Sequence, residues 1–421
     1  MTRSISIASV LGVVALLAAG ASLCAQPSPS DRAPNDRGPA AEQPWEEGYA
    51  ASPCEYGACE YGACDCYGPP RITARAEYLM WWSRGRNVPP LVTTSPQTTP
   101  RDEAGVLGFP TTTILYGDEP IGEDFRSGGR FSLSYLLATG CTWAEGRIWG
   151  LEDSSESFLA ASNGDPILAR PFFNALLGQE DALLVAFPGV TMGGSIQVRS
   201  KNDLFGADAW VRQVWCQDCC IRLDVLAGYQ FIRLDDALTI NNVQTSIDPN
   251  SVFPFGTVID NLDSFATRNE FHGGQLGIAA EYCGCCWNIE LLAKLALGGV
   301  HEEVAIAGRT ITAEPGAAPV VTSGGLLAQP TNIGRYQRGR LAIIPEVNVN
   351  LAYDVNPCWR LTLGYSFLYW SNAVLAGNQI DRAVNLSQVS GPLVGPARPQ
   401  FTFNRTDYWV QGMNFGLQYR W

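Results

Sequence analysis

The 421 residues include only two histidines and two lysines, Lys201 and Lys294. A histidine-based catalytic site therefore has few options. No basic tract exists to neutralise a phosphate backbone, which argues against nucleic acid as a partner. Charged residues make up 16% of the chain and hydrophobic ones 46%, a balance that excludes a disordered chain and a coiled coil. Beyond the first 25 residues no apolar run reaches the roughly 18 residues of a candidate spanning helix, so a membrane form must cross as strands. The length accommodates several soluble domains or one large all-β domain, and only pattern can decide between them.

What the chain does have is 43 glycines, 27 prolines, 13 cysteines and an acidic excess, 41 against 28, that gives a net charge of −13. Residues 1–25 begin with Arg3, continue through an apolar stretch from Ile5 to Ala19 and end in small residues near Ala25. This is an export signal. A lipoprotein reading of Cys24 is opposed by Leu23, because a small residue should precede the cysteine. The mature chain keeps 12 cysteines, Cys54, Cys59, Cys64, Cys66, Cys141, Cys216, Cys219, Cys220, Cys283, Cys285, Cys286 and Cys358. An even number in an exported chain makes all of them candidates for disulfides. Residues 26–70 carry the repeat Cys54-Glu-Tyr-Gly-Ala, Cys59-Glu-Tyr-Gly-Ala, Cys64-Asp-Cys66 and no apolar face. They read as a flexible periplasmic leader. Its five-residue spacing matches no zinc pattern.

From residue 71 the pattern changes to alternation, the signature of half-buried strands. Ile221, Leu223, Val225, Ala227, Tyr229 and Phe231 share one face, with Arg222, Asp224 and Gln230 on the other. The same sorting holds from Trp287 to Leu297 and from Leu361 to Tyr369. Further segments at 71–82, 128–138, 142–151, 203–215, 266–282, 337–355 and 406–421 bring the expectation to about ten strands, each near the 9–11 residues that a tilted strand needs to cross a bilayer. Entry of Val190–Arg199 and part of 105–117 into the wall would raise the number toward twelve. Short turns near Gly140-Cys141, 216–219, 283–286 and 356–358 alternate with expected long loops at 83–127, 152–202, 234–265, 307–336 and 373–405. Short turns on one rim and long loops on the other are the habit of bacterial outer-membrane barrels, and an even strand number returns the C-terminus to the short-turn rim. The predicted fold is thus all-β, an antiparallel up-and-down transmembrane barrel over residues 71–421.

A secreted β-sandwich also alternates, but its strands face one shared core. Here the expected inward faces hold Arg75, Glu77, Arg130, Glu145, Arg147, Arg222, Asp224, Glu290, Lys294, Glu346 and Arg360, opposite aliphatic residues flanked by Trp and Tyr. A charged lumen and aromatic girdles account for both faces. The last segment alternates to an aromatic end at Tyr419 and Trp421. Such an ending resembles the signal that barrel-insertion machinery reads.

Specific stretches resemble the planctomycete putative β-barrel porin-7 family. They are Ala76-Glu-Tyr-Leu-Met-Trp-Trp, Asn87-Val-Pro-Pro-Leu-Val-Thr-Thr-Ser, Gly105-Val-Leu-Gly, Thr113-Ile-Leu-Tyr-Gly, Arg126-Ser-Gly-Gly-Arg-Phe, Leu223-Asp-Val-Leu-Ala-Gly-Tyr, Asn269-Glu-Phe-His-Gly-Gly-Gln and the ending from Gly412 to Trp421. The resemblance implies an outer-membrane barrel surrounded by lipid, and it supplies no substrate or catalytic residue.

Other chemistry is sparse. His301-Glu302-Glu303 opens like a zinc-protease motif, but position 305 is alanine where the second histidine should stand. Neither a nucleophile elbow nor a phosphate-binding loop occurs. Cys216-x-x-Cys219 with Cys283-x-x-Cys286 mimics a four-thiolate zinc site, whereas an oxidising periplasm favours disulfides there. No cofactor and no metal is expected. A catalytic reading would put Asp235, Asp236, Asp260 and Asp263 in loops above the barrel mouth, as in outer-membrane proteases. The leading expectation is passive diffusion of small polar solutes through a charged lumen. A narrow, filled barrel with a structural or surface-interaction role is the alternative, since barrels of about eight strands are filled by side chains. A soluble secreted β-protein is the lesser one.

Overall fold

The computed structural model describes residues 70–218, 220–284 and 287–421. Ten long strands form its wall: β1 (Ile72–Ser83), β2 (Phe125–Leu136), β3 (Thr142–Ser162), β4 (Thr191–Gln217), β5 (Ile221–Ser246), β6 (Val258–Cys283), β7 (Trp287–Ala313), β8 (Gly334–Asp354), β9 (Trp359–Ala373) and β10 (Thr406–Arg420). Each pairs antiparallel with its sequence neighbours, and β1 pairs with β10 from Thr73↔Arg420 to Ser83↔Val410, which closes the ring. Closure removes the free edges that an open sheet would expose to lipid. Val190–Arg199 falls within the upper half of β4 and its preceding turn, so it adds no strand and the ring stays at ten.

In the lower half the outward residues are apolar. On β5 they run from Ile221 to Phe231, 11 residues, and on β10 Met413, Phe415 and Leu417 are exposed while Asn414 and Gln418 turn inward and are buried. Trp215, Trp287, Tyr353, Trp359, Tyr419 and Trp421 ring the short-turn end, the place of a girdle at the membrane interface. Above Phe231 the alternation continues with its polarity reversed. Ile232, Leu234, Leu238 and Ile240 point inward and are buried, whereas Arg233, Asp235, Thr239 and Asn241 face out. That is the pattern of a water-exposed β-structure wrapped around its own core.

This reversal corrects two expected loops. Residues 234–265 are largely wall and both ends of 152–202 are wall as well, because β3 runs to Ser162, β4 begins at Thr191, β5 reaches Ser246 and β6 begins at Val258. The length estimate for a spanning strand stops at the bilayer, but the ladders do not. Part of 307–336 is wall as well, through the end of β7. Three of the true loops send segments inward. Val92–Ser95, Thr113–Tyr116, Ile167–Asn174, Gln179–Ala186 and Ala383–Val384 form a small sheet. It packs Val92, Leu168, Phe172 and Val185 against Ile196, Val198, Leu238, Phe265 and Val304 of the wall. The upper barrel is thus filled by its own loops.

Candidate functional site: a lumen in layers

The inward positions stack into distinct layers along the barrel axis. At the short-turn rim Arg360 reaches Glu281 at 2.9 Å, Glu290 at 2.7 Å and Asp354 at 2.7 Å. Arg75 holds Glu290 at 2.7 Å, and Arg222 pairs with Asp224 at 2.8 Å while lying 3.9 Å from the Trp143 ring. Glu145 takes Arg212 at 3.1 Å. One level higher, Arg130 pairs with Glu77 on the neighbouring strand and donates to Asn348 at 3.1 Å. Arg147 meets Asp208 and Glu346, both at 2.6 Å, and Lys294 meets the same two carboxylates at 3.2 and 3.0 Å. Arg147 stands on β3 and Glu346 on β8. In a ring of ten those strands are opposite, so this ion pair crosses the lumen.

Each of the eleven charges Arg75, Glu77, Arg130, Glu145, Arg147, Arg222, Asp224, Glu290, Lys294, Glu346 and Arg360 stands in an ion pair. The alternation also hid partners. Asp208 and Arg212 sit where small outward residues, Ala207 and Ala209, blur the apolar face, and Glu281 and Asp354 lie at strand ends. Their signal was the period of two carried from the clearer neighbouring strands.

Directly above lies an apolar septum. Leu79, Trp81, Trp149, Leu204, Ile232, Phe271, Val300, Ile344, Leu368 and Trp370 are each at most 3% exposed. With Tyr408 and Val410 they form one contiguous cluster supplied by nine of the ten wall strands, β2 excepted. Such a cluster crosses the lumen. Trp81 and Trp149 meet at 5.4 Å between ring centroids, and Phe271 meets Trp370 edge-on at 6.2 Å.

Two buried arginine–aspartate pairs then fasten the inner loops to the wall, Arg170 from the loop sheet and Arg86 from the loop beside it. Arg86 pairs with Asp236 and donates to Ser200 at 2.7 Å; Asp236 also accepts the Ala376 N–H at 2.9 Å. Arg170 pairs with Asp263 and donates to Asn242 at 2.8 Å; Asp263 accepts the N–H groups of Leu327 at 3.0 Å and Ala328 at 2.8 Å. The four aspartates of the catalytic reading are therefore wall residues on two different faces. Asp236 and Asp263 turn inward, while Asp235 turns outward to Arg233 and Arg268 and Asp260 outward to Asn241. The period of two within β5 and β6 separates them. Among the described residues no group of His, Cys, Asp and Glu is arranged to hold a metal.

The cysteines divide three ways. Cys54, Cys59, Cys64, Cys66, Cys219, Cys285 and Cys286 lie outside the described residues, as does the leader. Cys141 and Cys216 are disulfide-bonded. Cys220 and Cys358 are free, exposed thiols, which corrects the expectation that they pair. Their turns lie four strands apart around the rim at about 4.8 Å per strand, beyond the roughly 7 Å Cα limit of a disulfide. Cys283 ends β6 beside the first turn, with its N–H donated to the Cys220 carbonyl at 2.8 Å.

Comparison with known proteins adds a family. The family model described as "Putative beta barrel porin-7" matches residues 74–421. No curated protein matches the sequence. Among solved structures the chain is similar to the outer membrane protease OmpT from Escherichia coli, at 9% identity and a TM-score of 0.38 over 84% of this chain and 97% of that one. It is similar also to the translocator domain of autotransporter NalP from Neisseria meningitidis, at 9% identity and a TM-score of 0.24 over 85% and 91%. The P. putida toluene transporter TodX matches at 8% identity and a TM-score of 0.23 over 83% and 90%.

Proposed function

The chain belongs to the family described as Putative beta barrel porin-7, and from that membership we propose an outer-membrane barrel that is shut at rest and passes small polar solutes by passive diffusion only when its lumen is unlocked. The observation that carries this reading is the septum. A contiguous apolar layer drawn from nine strands excludes hydrated solutes, and the crossing pair of Arg147 with Glu346 braces the layer beneath it. The ring of ten also lies near the closed end of the size range, where side chains fill the interior.

Planar-bilayer recording tests the proposal. Wild-type protein gives no steady conductance at low voltage, whereas Glu346→Ala combined with Trp370→Ala gives discrete steps that grow with ionic strength. Steady wild-type steps would overturn the closed state. Silence from both proteins would favour a structural or surface role, a second reading supported by the loops packing into one core above the bilayer.

The same proposal assigns residues 1–25 to export and 26–70 to a periplasmic leader. It gives the insertion machinery the end of β10, where Tyr419 packs on Trp421 at 4.5 Å. No turnover is assigned. Support comes from the engagement of Asp235, Asp236, Asp260 and Asp263 on separate faces.

A further inference from the structure

The wall has one place where two adjacent strands run on without pairing. The ladder between β8 and β9 extends from Asp354↔Arg360 to Glu346↔Leu368 and stops there. Yet β8 continues upward, paired with β7 as far as Ile306↔Gly334, and β9 continues upward, paired with β10 as far as Ala373↔Thr406. Two residues explain the break. The Ile343 N–H points across to β9, where the Ser371 hydroxyl accepts it at 3.0 Å. Residue 345 shares that edge, two positions along, and it is proline, which has no N–H to give. On the other side the register shifts between Trp370 and Ala373, with Asn372 in the left-handed region at φ 63°, and the chain then dives into the lumen to bond Asn269. Among the described residues the Ile343 N–H bond to Ser371 is the one stitch here, and no backbone–backbone hydrogen bond joins 334–344 of β8 to β9. The nearby contacts are made by rings: Tyr336 stacks on Phe401 at 3.7 Å, and Arg338 lies 4.0 Å from the Phe403 ring.

The chemistry on the two sides of this seam is unequal. Outside, Leu341 is 74% and Ile343 47% exposed, next to the exposed Leu295 and Leu297 of β7. They continue the lipid-facing band, so the seam's neighbour is hydrocarbon. Inside stand Ile344, Leu368 and Trp370 of the septum, and the buried Trp370 indole N–H has no acceptor. At the upper end Arg340 is exposed. Arg335 and Arg338 on the same strand pair with Glu303 and Glu302, but among the described residues Arg340 pairs with no carboxylate. Unsatisfied edge N–H groups at the border of a bilayer are costly, and acceptor oxygens of a lipid headgroup can relieve them.

We propose that the seam is a lateral binding site for an anionic amphiphile of the outer leaflet: its hydrocarbon chain displaces the single Ile343–Ser371 hydrogen bond to reach Ile344 and Trp370, and its head is held by Arg340 and the free β8 edge. This site is independent of whether the lumen conducts. The test uses full-length protein in phosphatidylcholine vesicles with a fatty acid carrying a mid-chain diazirine, irradiated and mapped by peptide mass spectrometry. Label appears on Ile344, Leu368 or Trp370 as well as on lipid-facing Leu361 and Leu363. An Ile343→Cys, Ser371→Cys pair, once oxidised, lowers the inward label by roughly tenfold while Leu361 and Leu363 stay labelled, and reduction restores it. Arg340→Glu lowers the inward label about fivefold, the equivalent of roughly 1 kcal/mol, with the fatty acid but not with an uncharged diazirine monoglyceride. Label confined to outward residues, or inward label indifferent to the oxidised pair, overturns the seam. Equal loss for both probes in Arg340→Glu overturns the anionic head.

Discussion

Glu346 receives two cations, Arg147 at 2.6 Å and Lys294 at 3.0 Å, in a place where all three side chains are buried. Burying charges costs several kcal/mol per ion, which mutual attraction and hydrogen bonds must offset. Glu346→Ala therefore leaves two cations sharing Asp208 and destabilises the barrel by about 3–5 kcal/mol, the usual loss when one partner of a buried pair is removed. Removing Arg147 as well, as Arg147→Met with Glu346→Leu, restores charge balance around Lys294 and Asp208 and recovers most of that loss. Guanidinium unfolding in detergent micelles measures both. A second residue sets an alkaline limit. Burial, with the nearby Glu156 carboxylate, pushes the Tyr116 phenol up to about 12 from 10.0. The folded loop sheet thus prefers the neutral phenol, and its stabilisation is full below pH 10 and lost between pH 10 and 12. Tyr116→Phe removes that part of the alkaline titration, followed by protease resistance of the loops.

At the scale of the strands, inward glycines make room for inward tryptophans. A Cβ on Gly412 would lie 2.1 Å from the Met80 carbonyl oxygen and 2.6 Å from the Trp81 Cα, on the very ladder that closes the ring. Gly412→Ala forces β1 and β10 apart, at a cost of roughly 1–3 kcal/mol. It lowers the temperature at which the folded band disappears in gel electrophoresis, and Gly129→Ala, with nothing within 4 Å, serves as the silent control. The alternation that made these strands legible came from lipid. Where Leu223, Val225 and Tyr229 face hydrocarbon, apolar side chains are required outside and the charges inside are conspicuous. Past Phe231 the solvent changes, so Ile232 and Leu234 take the inner face while Arg233 and Asp235 take the outer one. A period of two persists through the switch, but a reader expecting one polarity sees it end. The cross-lumen partners were illegible for another reason: Arg147 and Glu346 are joined by ring geometry, although they stand 199 positions apart in the chain.

At the scale of the molecule, half of the barrel stands clear of the bilayer. β4 has 27 residues; at about 3.3 Å each it is roughly 90 Å long, and even with a tilt near 40° it far exceeds an apolar band of about 25 Å. The loop between β5 and β6 crowns this projection, with Val252 93% exposed. Val252→Cys is labelled by a membrane-impermeant maleimide added to intact cells, whereas Val225→Cys on the lipid face is not. Labelling of neither cysteine until the outer membrane is permeabilised would reverse the orientation. The overall plan, a closed meander with short turns on one rim, was legible because water and lipid impose it residue by residue. The inward fold of the loops was not, since Val92, Leu168 and Val185 acquire a common core only once the wall surrounds them.

The change of polarity at Phe231 and Arg233 has a mechanical corollary. Sliding the molecule downward by two residues would draw Arg233, Arg268 and their acidic neighbours into oil, and sliding it upward would pull the polar short turns below the girdle tryptophans into oil and wet Tyr229 and Phe231 at the upper edge. Immersion depth is therefore pinned from both ends, and in a host membrane of another thickness it is the lipid that must thin or swell around a stiff cylinder.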